Sequence, residues 1–517
     1  MRGFQLLDHA MAGGHLESSQ IRELNEALRT SALSLVDLQK STATPYGPSL
    51  IGQPLHGVSH DSNMTGLGEL SPLVPQSIQS TLDSLTYTAD DLVIWRMISQ
   101  FAVQATSTTH EYALRKSHGS EGLSPFSREN RVGGFSKGEY ERRTVRMKFL
   151  TEVFEVGEVA THVPLMNVGM NALDLITQER TISLMKKLER EIVWASSSID
   201  PLAWDGLYHS VKSLEPNHVT DAGGQTVTPQ NLNEILAELI AQPNYAKPNT
   251  ILCTYEQHTT MANQAIPFGR SDLMKGDTRQ FYYQGDDIFV GTQRGRIRIQ
   301  PCMFLENDRH PRTKADGDGG PLPLTSGLAP AVTLASGPIT GSKWVSADVG
   351  YDYYYVVEAV GDEGISLSGV VGPFTPSAAG DAAYIEIDDA SVGTSGTNSI
   401  RFYRLFRAKV TTGSTAPTMA DPTQFWNAGE YARNKLGSGS DNTKITDLRA
   451  FVPRAAPMII GEFSNEVMNF AKFIDLTRRG FQIPRVLAQH VALILSGAFF
   501  VKNAKKLWLY ENVGFGF

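Results

Sequence analysis

The stretch MNALDLITQERTISLMKKLEREIVW, residues 170–194, is the clearest structural signal in the chain. Its apolar residues recur at helical spacing and form one stripe, made up of Leu173, Ile176, Leu184, Leu188 and Ile192. Charged residues lie off the stripe, and no proline interrupts the segment. The spacing therefore predicts one continuous helix, roughly 37 Å long at 1.5 Å per residue.

Downstream of this helix, helix and strand signals alternate. Thr228 followed by Pro229 is typical of a helix start, because threonine caps the first turn and proline is tolerated in it. The spacing predicts a helix to Ile240, a strand over 250–254 and a further helix over 255–264. Together with the long helix, these elements indicate an α+β protein.

Upstream lies a glycine-rich stretch, residues 113–148, with nine basic and four acidic side chains. It leads into a strand-like alternation over 144–155, in which Val145, Met147 and Phe149 share one face. We predict a long polar hairpin from the glycines and the alternation. Loops of this length in compact domains are usually either functional or disordered. Its basic residues are the candidate contacts between copies of the chain: Arg115, Lys116, Arg128, Arg131, Lys137, Arg142 and Arg143.

The basic stretch is also a candidate nucleic-acid surface. It contains few aromatic residues for base stacking, namely Phe126, Phe135 and Tyr140. Glutamates are interleaved with its basic residues, which favours salt bridges between copies over a track for phosphates.

Composition changes near residue 325, where the chain becomes rich in Gly, Ser and Thr. Strand signals at 351–360, 383–387 and 400–408 are separated by turn signals, which predicts an antiparallel β-sandwich over 325–453. A mixture of helix and strand is expected after Pro453, so the sandwich is predicted to be an insertion. We interpret the tyrosines at 351–355 as alternating core residues in preference to a carbohydrate site, and residues 326–400 hold nine acids and one base.

The N-terminal part is predicted to contain a helix within 15–40, followed by a segment over 41–72 that is rich in Ser, Gly, Pro and Thr. This segment has too few core residues to pack alone. It would lie across another surface or form a tail, and both readings stay open.

Composition argues against several classes of protein. The 517 residues include 46 Lys+Arg and 54 Asp+Glu, a net charge of −8 that argues against a dedicated DNA-binding protein. Two cysteines, Cys253 and Cys302, argue against a disulfide scaffold or a structural zinc site. Asp8 and His9 interrupt any apolar N-terminal run, and no apolar stretch is long enough for a bilayer. We therefore expect no signal peptide, no membrane association and intracellular synthesis.

We find no phosphate-binding loop, dinucleotide fingerprint, nucleophile elbow or zinc-protease motif. His56 and His60 are four residues apart, but Gly57 and Pro54 disfavour the helix that would bring them together. Residues 316–320 begin like a calcium loop, yet the later glutamate is missing and Pro321 follows, so a linker turn is favoured. We predict a protein that is not an enzyme and has no metal or cofactor.

The order of these parts resembles the major capsid proteins of tailed bacteriophages, with the Hong Kong 97 type of shell fold. Leu73-Val74-Pro75 is similar to the short segment before their first helix. The 228–240 helix with the 249–254 strand resembles the peripheral domain, 285–290 and 295–299 resemble strands entering the axial domain, and 499–513 resembles the closing strands. Within the insertion, 353–360, 402–407 and 445–448 resemble immunoglobulin-like or fibronectin-III-like modules.

The resemblance divides the chain into six parts. They are an N-terminal arm with the first helices (1–105), an extended loop (106–165), a spine helix (166–198), the first part of the peripheral and axial domains (199–324), the sandwich (325–453) and the closing part (454–517).

The resemblance implies a structural protein that self-assembles into hexamers and pentamers of an icosahedral head shell, with the sandwich facing outward. Its implied partners are copies of itself, a separate scaffolding protein, a portal, possible decoration proteins and packaged double-stranded DNA contacted without sequence specificity. It implies assembly in the host cytoplasm and residence in the virion. Covalent cross-linking is not carried over, because no asparagine or glutamate partner is marked for Lys116 or Lys137. Two alternatives are a surface adhesin or carbohydrate-binding protein that uses the sandwich, and a hydrolase with undetected site residues.

Overall fold

The computed structural model describes residues 91–119, 126, 137–157, 172–269, 281–284, 287–292, 295–307, 309–312, 329–361, 364–388, 400–433, 442–481 and 488–515. Several predictions lie outside these residues: the N-terminal helix and the segment after it, the 73–75 motif, His56 and His60, the turn at 316–320, Arg128 and Arg131. They stay predictions.

The described helices are α1 (Val93–Ser99), α2 (Ala172–Trp194), α3 (Leu207–Leu214), α4 (Pro229–Ile240) and α5 (Tyr255–Gly269). The long helix is confirmed as α2, and Leu184, Leu188 and Ile192 of its stripe are buried. The start of α4 is as predicted, since Thr228 Oγ1 accepts a hydrogen bond from the Asn231 N–H. Helix α5 begins as predicted and ends five residues later.

In chain order the strands are β1 (Val103–Gln104), β2 (Thr109–Ser117), β3 (Glu139–Arg146), β4 (Lys148–Gly157), β5 (Val219–Asp221), β6 (Thr250–Cys253), β7 (Phe281–Gln284), β8 (Asp287–Thr292), β9 (Gly295–Pro301), β10 (Ala331–Pro338), β11 (Tyr351–Gly361), β12 (Ile365–Leu367), β13 (Val371–Phe374), β14 (Asp381–Asp388), β15 (Ile400–Thr411), β16 (Trp426–Ala432), β17 (Thr443–Asp447), β18 (Ala455–Gly461), β19 (Met468–Phe481), β20 (Ala488–Val501) and β21 (Leu507–Gly514). They form a mixed α and β protein, which confirms the predicted class in its broad sense.

A four-stranded sheet, in the order β1-β19-β20-β4, supports helix α2. Phe154 and Val156 of β4 and Val491 and Leu493 of β20 pack against Leu184 of the helix. Because successive side chains of a strand point to opposite faces, only one face of this sheet is covered by α2. Further core residues join α2 to α1, α3 and the inner half of β20.

A seven-stranded sheet has the order β5-β21-β18-β6-β9-β8-β7, and helix α4 packs on it. The chain leaves this sheet after β9 and returns to it at β18. Strands β6 and β9 are parallel neighbours. The predicted peripheral segment at 228–254 and the predicted axial strands at 285–299 therefore lie in one sheet, whereas the sequence resemblance separated them.

Between β9 and β18 the chain forms two antiparallel sheets, β10-β14-β17 and β12-β11-β15-β16, with β13 paired to β11. They pack face to face around a shared core that includes Tyr353, Tyr355 and Ile385. A second core on the other face of β11 contains Tyr354 and Phe406. The tyrosines are thus core residues, as predicted, but they alternate between two cores because both faces of the strand are covered.

Two predictions were wrong in detail. After Pro453 the described residues contain strands and one 3-10 turn at Ala504–Lys506, with no α-helix. The strand over 144–155 is broken at Met147, where β3 ends and β4 begins, and Phe149, which follows the break, is largely exposed whereas Met147 is buried. Tertiary pairing decided both points, because β4 and the closing strands are paired with residues more than 300 positions away or with each other.

Cys253 and Cys302 are free and buried, and burial raises the pKa of both thiols. No described helix is long and apolar enough to cross a membrane.

Candidate assembly surfaces

Strands β2 and β3 form the predicted hairpin. They pair in antiparallel register from Thr109 opposite Arg146 to Ser117 opposite Glu139. None of the side chains in either strand is buried. An isolated two-stranded ribbon is marginally stable in water, so this hairpin is built for contacts that the described part of the chain does not supply.

Three of the candidate basic residues already have carboxylate partners in the hairpin. Glu141 lies 3.1 Å from Lys116 Nζ and 3.0 Å from Arg143 Nε, and Arg142 lies 3.3 Å from Glu111. Hydrogen bonds from Arg143 and Lys116 lower the pKa of Glu141. The interleaved glutamates therefore offset part of the charge of their own hairpin, and the salt bridges between copies stay a prediction.

The remaining candidates differ in their surroundings. The Arg115 guanidinium lies 5.6 Å from the centroid of the Tyr140 ring, and its Nη1 is 3.5 Å from His118 Nδ1. Lys137 is exposed and lies just before β3, at the same end of the hairpin as Arg115, which is opposite Tyr140. Among the candidates that the structure describes, only Lys116 and Arg143 share a carboxylate partner.

The root of the hairpin is fixed to the four-stranded sheet. The ring of Tyr112 stacks on Phe500 of β20, with centroids 4.7 Å apart. Met147 and Ala498 are buried in the same cluster. The hairpin therefore projects from one end of the sheet face that α2 does not cover.

The rest of that uncovered face has exposed apolar side chains, which the sequence analysis missed. Phe149 and Val153 of β4 are 62 % and 59 % exposed. Val153 is opposite Ala492 and Phe149 is opposite Ser496, so they share a face with the even-numbered residues of β20. We call Phe149, Val153, Ala492 and Ile494 the open face.

We also searched the described residues for a metal site. Within the described ranges no group of three or more His, Cys, Asp and Glu side chains is placed to hold a metal ion. The described structure therefore has a projecting hairpin with a fixed root beside a sheet face with exposed apolar side chains, and both are available to contact other molecules.

Comparison with known proteins finds relatives that are named as major capsid proteins of phages. The chain is 22 % identical over 446 residues to the putative major capsid protein of Enterococcus phage phiEF24C, covering 84 % of this chain and 89 % of the relative. It is 24 % identical over 209 residues to the major capsid protein of Staphylococcus phage K, covering 39 % of this chain and 42 % of the relative. No protein-family model matches the chain.

Solved structures are similar at low identity. The capsid of a native GTA particle is 7 % identical with a TM-score of 0.43, covering 88 % of this chain and all of that one. The capsid of Myoviridae phage XM1 is 8 % identical with a TM-score of 0.39, covering 84 % of this chain and 96 % of that one.

Proposed function

We propose that this chain is the major capsid protein of a tailed bacteriophage, which forms the shell of the head around the genome. The relatives named as phage major capsid proteins support this proposal, one of them over most of both chains. The observation that carries it within the molecule is the hairpin of β2 and β3, because it has no buried side chain and yet a firmly packed root.

Assembly would complete the burial that one copy lacks. The hairpin of one copy would lie across a neighbour and cover apolar surface such as the open face. Obligate interfaces of this kind bury about 2,000–5,000 Å². The internal pairs at Glu141 and Glu111 would offset part of the basic charge of the hairpin. Apolar contact and backbone pairing would then contribute more than its charges, since exposed ion pairs add only about 0–1 kcal/mol.

In this proposal helix α2 is the spine and its sheet the peripheral domain, while the seven-stranded sheet is the axial domain. The two-sheet region corresponds to the outward immunoglobulin-like or fibronectin-III-like module. Copies of the chain would form hexamers and pentamers in the host cytoplasm and remain in the virion, with no catalytic role. A separate scaffolding protein, a portal, possible decoration proteins and packaged DNA would be the other partners.

Negative-stain electron microscopy of the purified full-length chain, alone and with its scaffolding protein, tests the proposal. We expect closed particles of uniform size with six-fold and five-fold capsomers. A small oligomer that binds glycans would instead support an adhesin, and a monomer that does not assemble under either condition would overturn the shell function.

A further inference from the structure

Three charged contacts join the two-sheet region, here called the sandwich (β10–β17), to the rest of the described chain, here called the body. The central one is at Glu430 of β16. Its Oε1 accepts hydrogen bonds from Arg404 Nε in the sandwich at 2.9 Å, from Asn307 Nδ2 at 3.3 Å and from Arg190 Nη2 of helix α2. One buried carboxylate oxygen thus links the sandwich, the long helix and the connection that leaves β9.

The charge state of Glu430 favours this link. Burial alone would raise the pKa of Glu430, but Arg190 and Arg404 outweigh it, so the pKa is lowered. Arg404 also donates to Glu358, which is fully buried, at 2.6 Å. Removing one member of such a buried set is strongly destabilising, because the remaining charges lose their compensation.

Two further ion pairs reach other parts of the body. Arg401 of β15 lies 3.3 Å from Asp200, in the segment that follows α2. Lys343 pairs with Asp221 of β5, at the edge of the seven-stranded sheet. The sandwich is therefore attached at both the long helix and the seven-stranded sheet.

The described parts of both chain connections to the sandwich also make hydrogen bonds. On the outward connection, the Arg309 carbonyl accepts a hydrogen bond from Asn427 N–H at 3.1 Å, and His310 Nδ1 lies 2.8 Å from the Phe425 carbonyl. On the returning connection, the Asn512 side chain bonds Val452 N–H at 3.2 Å and the Ala450 carbonyl at 2.9 Å. Flexible tethers would not make these bonds.

We propose that the sandwich is a brace that reinforces the packing of helix α2 on the seven-stranded sheet, two elements that already share a hydrophobic core, so that the three parts move as one rigid body. The sandwich is then a mechanical part of each copy and not only an appendage on its surface. This inference concerns the single copy and does not depend on shell assembly.

Hydrogen exchange on the unassembled full-length chain tests the brace, with Glu430→Gln as the variant. We expect amide protection in α2 and β5 to fall about tenfold or more, while β14 and β17, in the other sheet of the sandwich, keep theirs. Glu386→Gln is the matched control, because Glu386 is a glutamate of the same sandwich on its outer, partly exposed face. Wild-type protection of α2 in Glu430→Gln, or an equal loss in the control, would overturn the proposal.

A second variant tests the brace if Glu430→Gln fails to fold. Arg401→Gln combined with Lys343→Gln removes two pairs that are partly exposed, with side-chain exposures of 31 % and 47 % for the two cations. We expect a smaller loss of protection confined to β5 and the residues around Asp200. Unchanged exchange in both places would overturn the brace. Because the measurement uses unassembled chains, its failure is distinguishable from failure of the shell function.

Discussion

The double variant Phe149→Asp, Val153→Asp is expected to leave the chain folded and to reduce the yield of assembled particles at least about tenfold. Both side chains are mostly exposed in the single copy, so their replacement changes the free energy of unfolding by about 0.5 kcal/mol or less. In an assembled shell the same aspartates would be desolvated against a neighbouring copy. Burying an unpaired carboxylate costs several kcal/mol. That cost recurs at each interface of a repeating shell.

Size-exclusion chromatography and electron microscopy measure the particle yield, and circular dichroism confirms the fold. Val349→Asp is the matched control, because Val349 is an exposed valine of the sandwich, 42 % exposed and far along the chain from the open face. We expect it to assemble as the unmodified chain does. Normal particles from the Phe149, Val153 variant would show that the open face is not covered in the shell.

Replacing Asp447 by alanine is expected to cost about 3–5 kcal/mol of the free energy of unfolding, the range for breaking a buried ion pair. Asp447 Oδ2 accepts hydrogen bonds from Arg407 Nη1 at 2.6 Å and from the Tyr355 hydroxyl at 3.0 Å, and Oδ1 accepts from the Arg449 N–H at 2.8 Å. The alanine variant leaves a buried guanidinium without its carboxylate and two further donors without an acceptor. The two unsatisfied donors contribute to this cost and are included in its range, because a buried donor without an acceptor is itself unfavourable.

Denaturant unfolding of the unassembled chain measures this loss. Asp447→Asn keeps an acceptor oxygen and removes only the charge, so we expect an intermediate loss. Asp475→Ala is the control, because the Asp475 side chain is 71 % exposed and its removal should change stability by about 0.5 kcal/mol or less. A loss below about 1 kcal/mol in Asp447→Ala would contradict the view that this buried pair stabilises the sandwich.

An element could be predicted from the sequence where its own residues show the periodicity or the cap that defines it. Helix α2 follows from the spacing of Leu184, Leu188 and Ile192, and the start of α4 follows from Thr228 and Pro229. The hairpin and the paired sheets of the sandwich follow from strand signals bounded by turns. The order of these parts, read as a whole, also led to the class of protein that the named relatives share.

Contacts between residues far apart in the chain could not be predicted from the sequence. Nothing local distinguishes Phe149 from a core residue, because its exposure depends on β4 pairing with β20 about 340 positions later. Likewise, no spacing rule joins Glu430 to Arg190, 240 positions apart, or places the acids of the hairpin beside its own basic residues. The sequence by itself determined the long helix α2, the start of α4 and the strands with turns at their ends, since periodicity and caps act over a few residues. The tertiary structure alone decided which faces stay open and which charges meet, because sheet register and burial are properties of the whole packed chain.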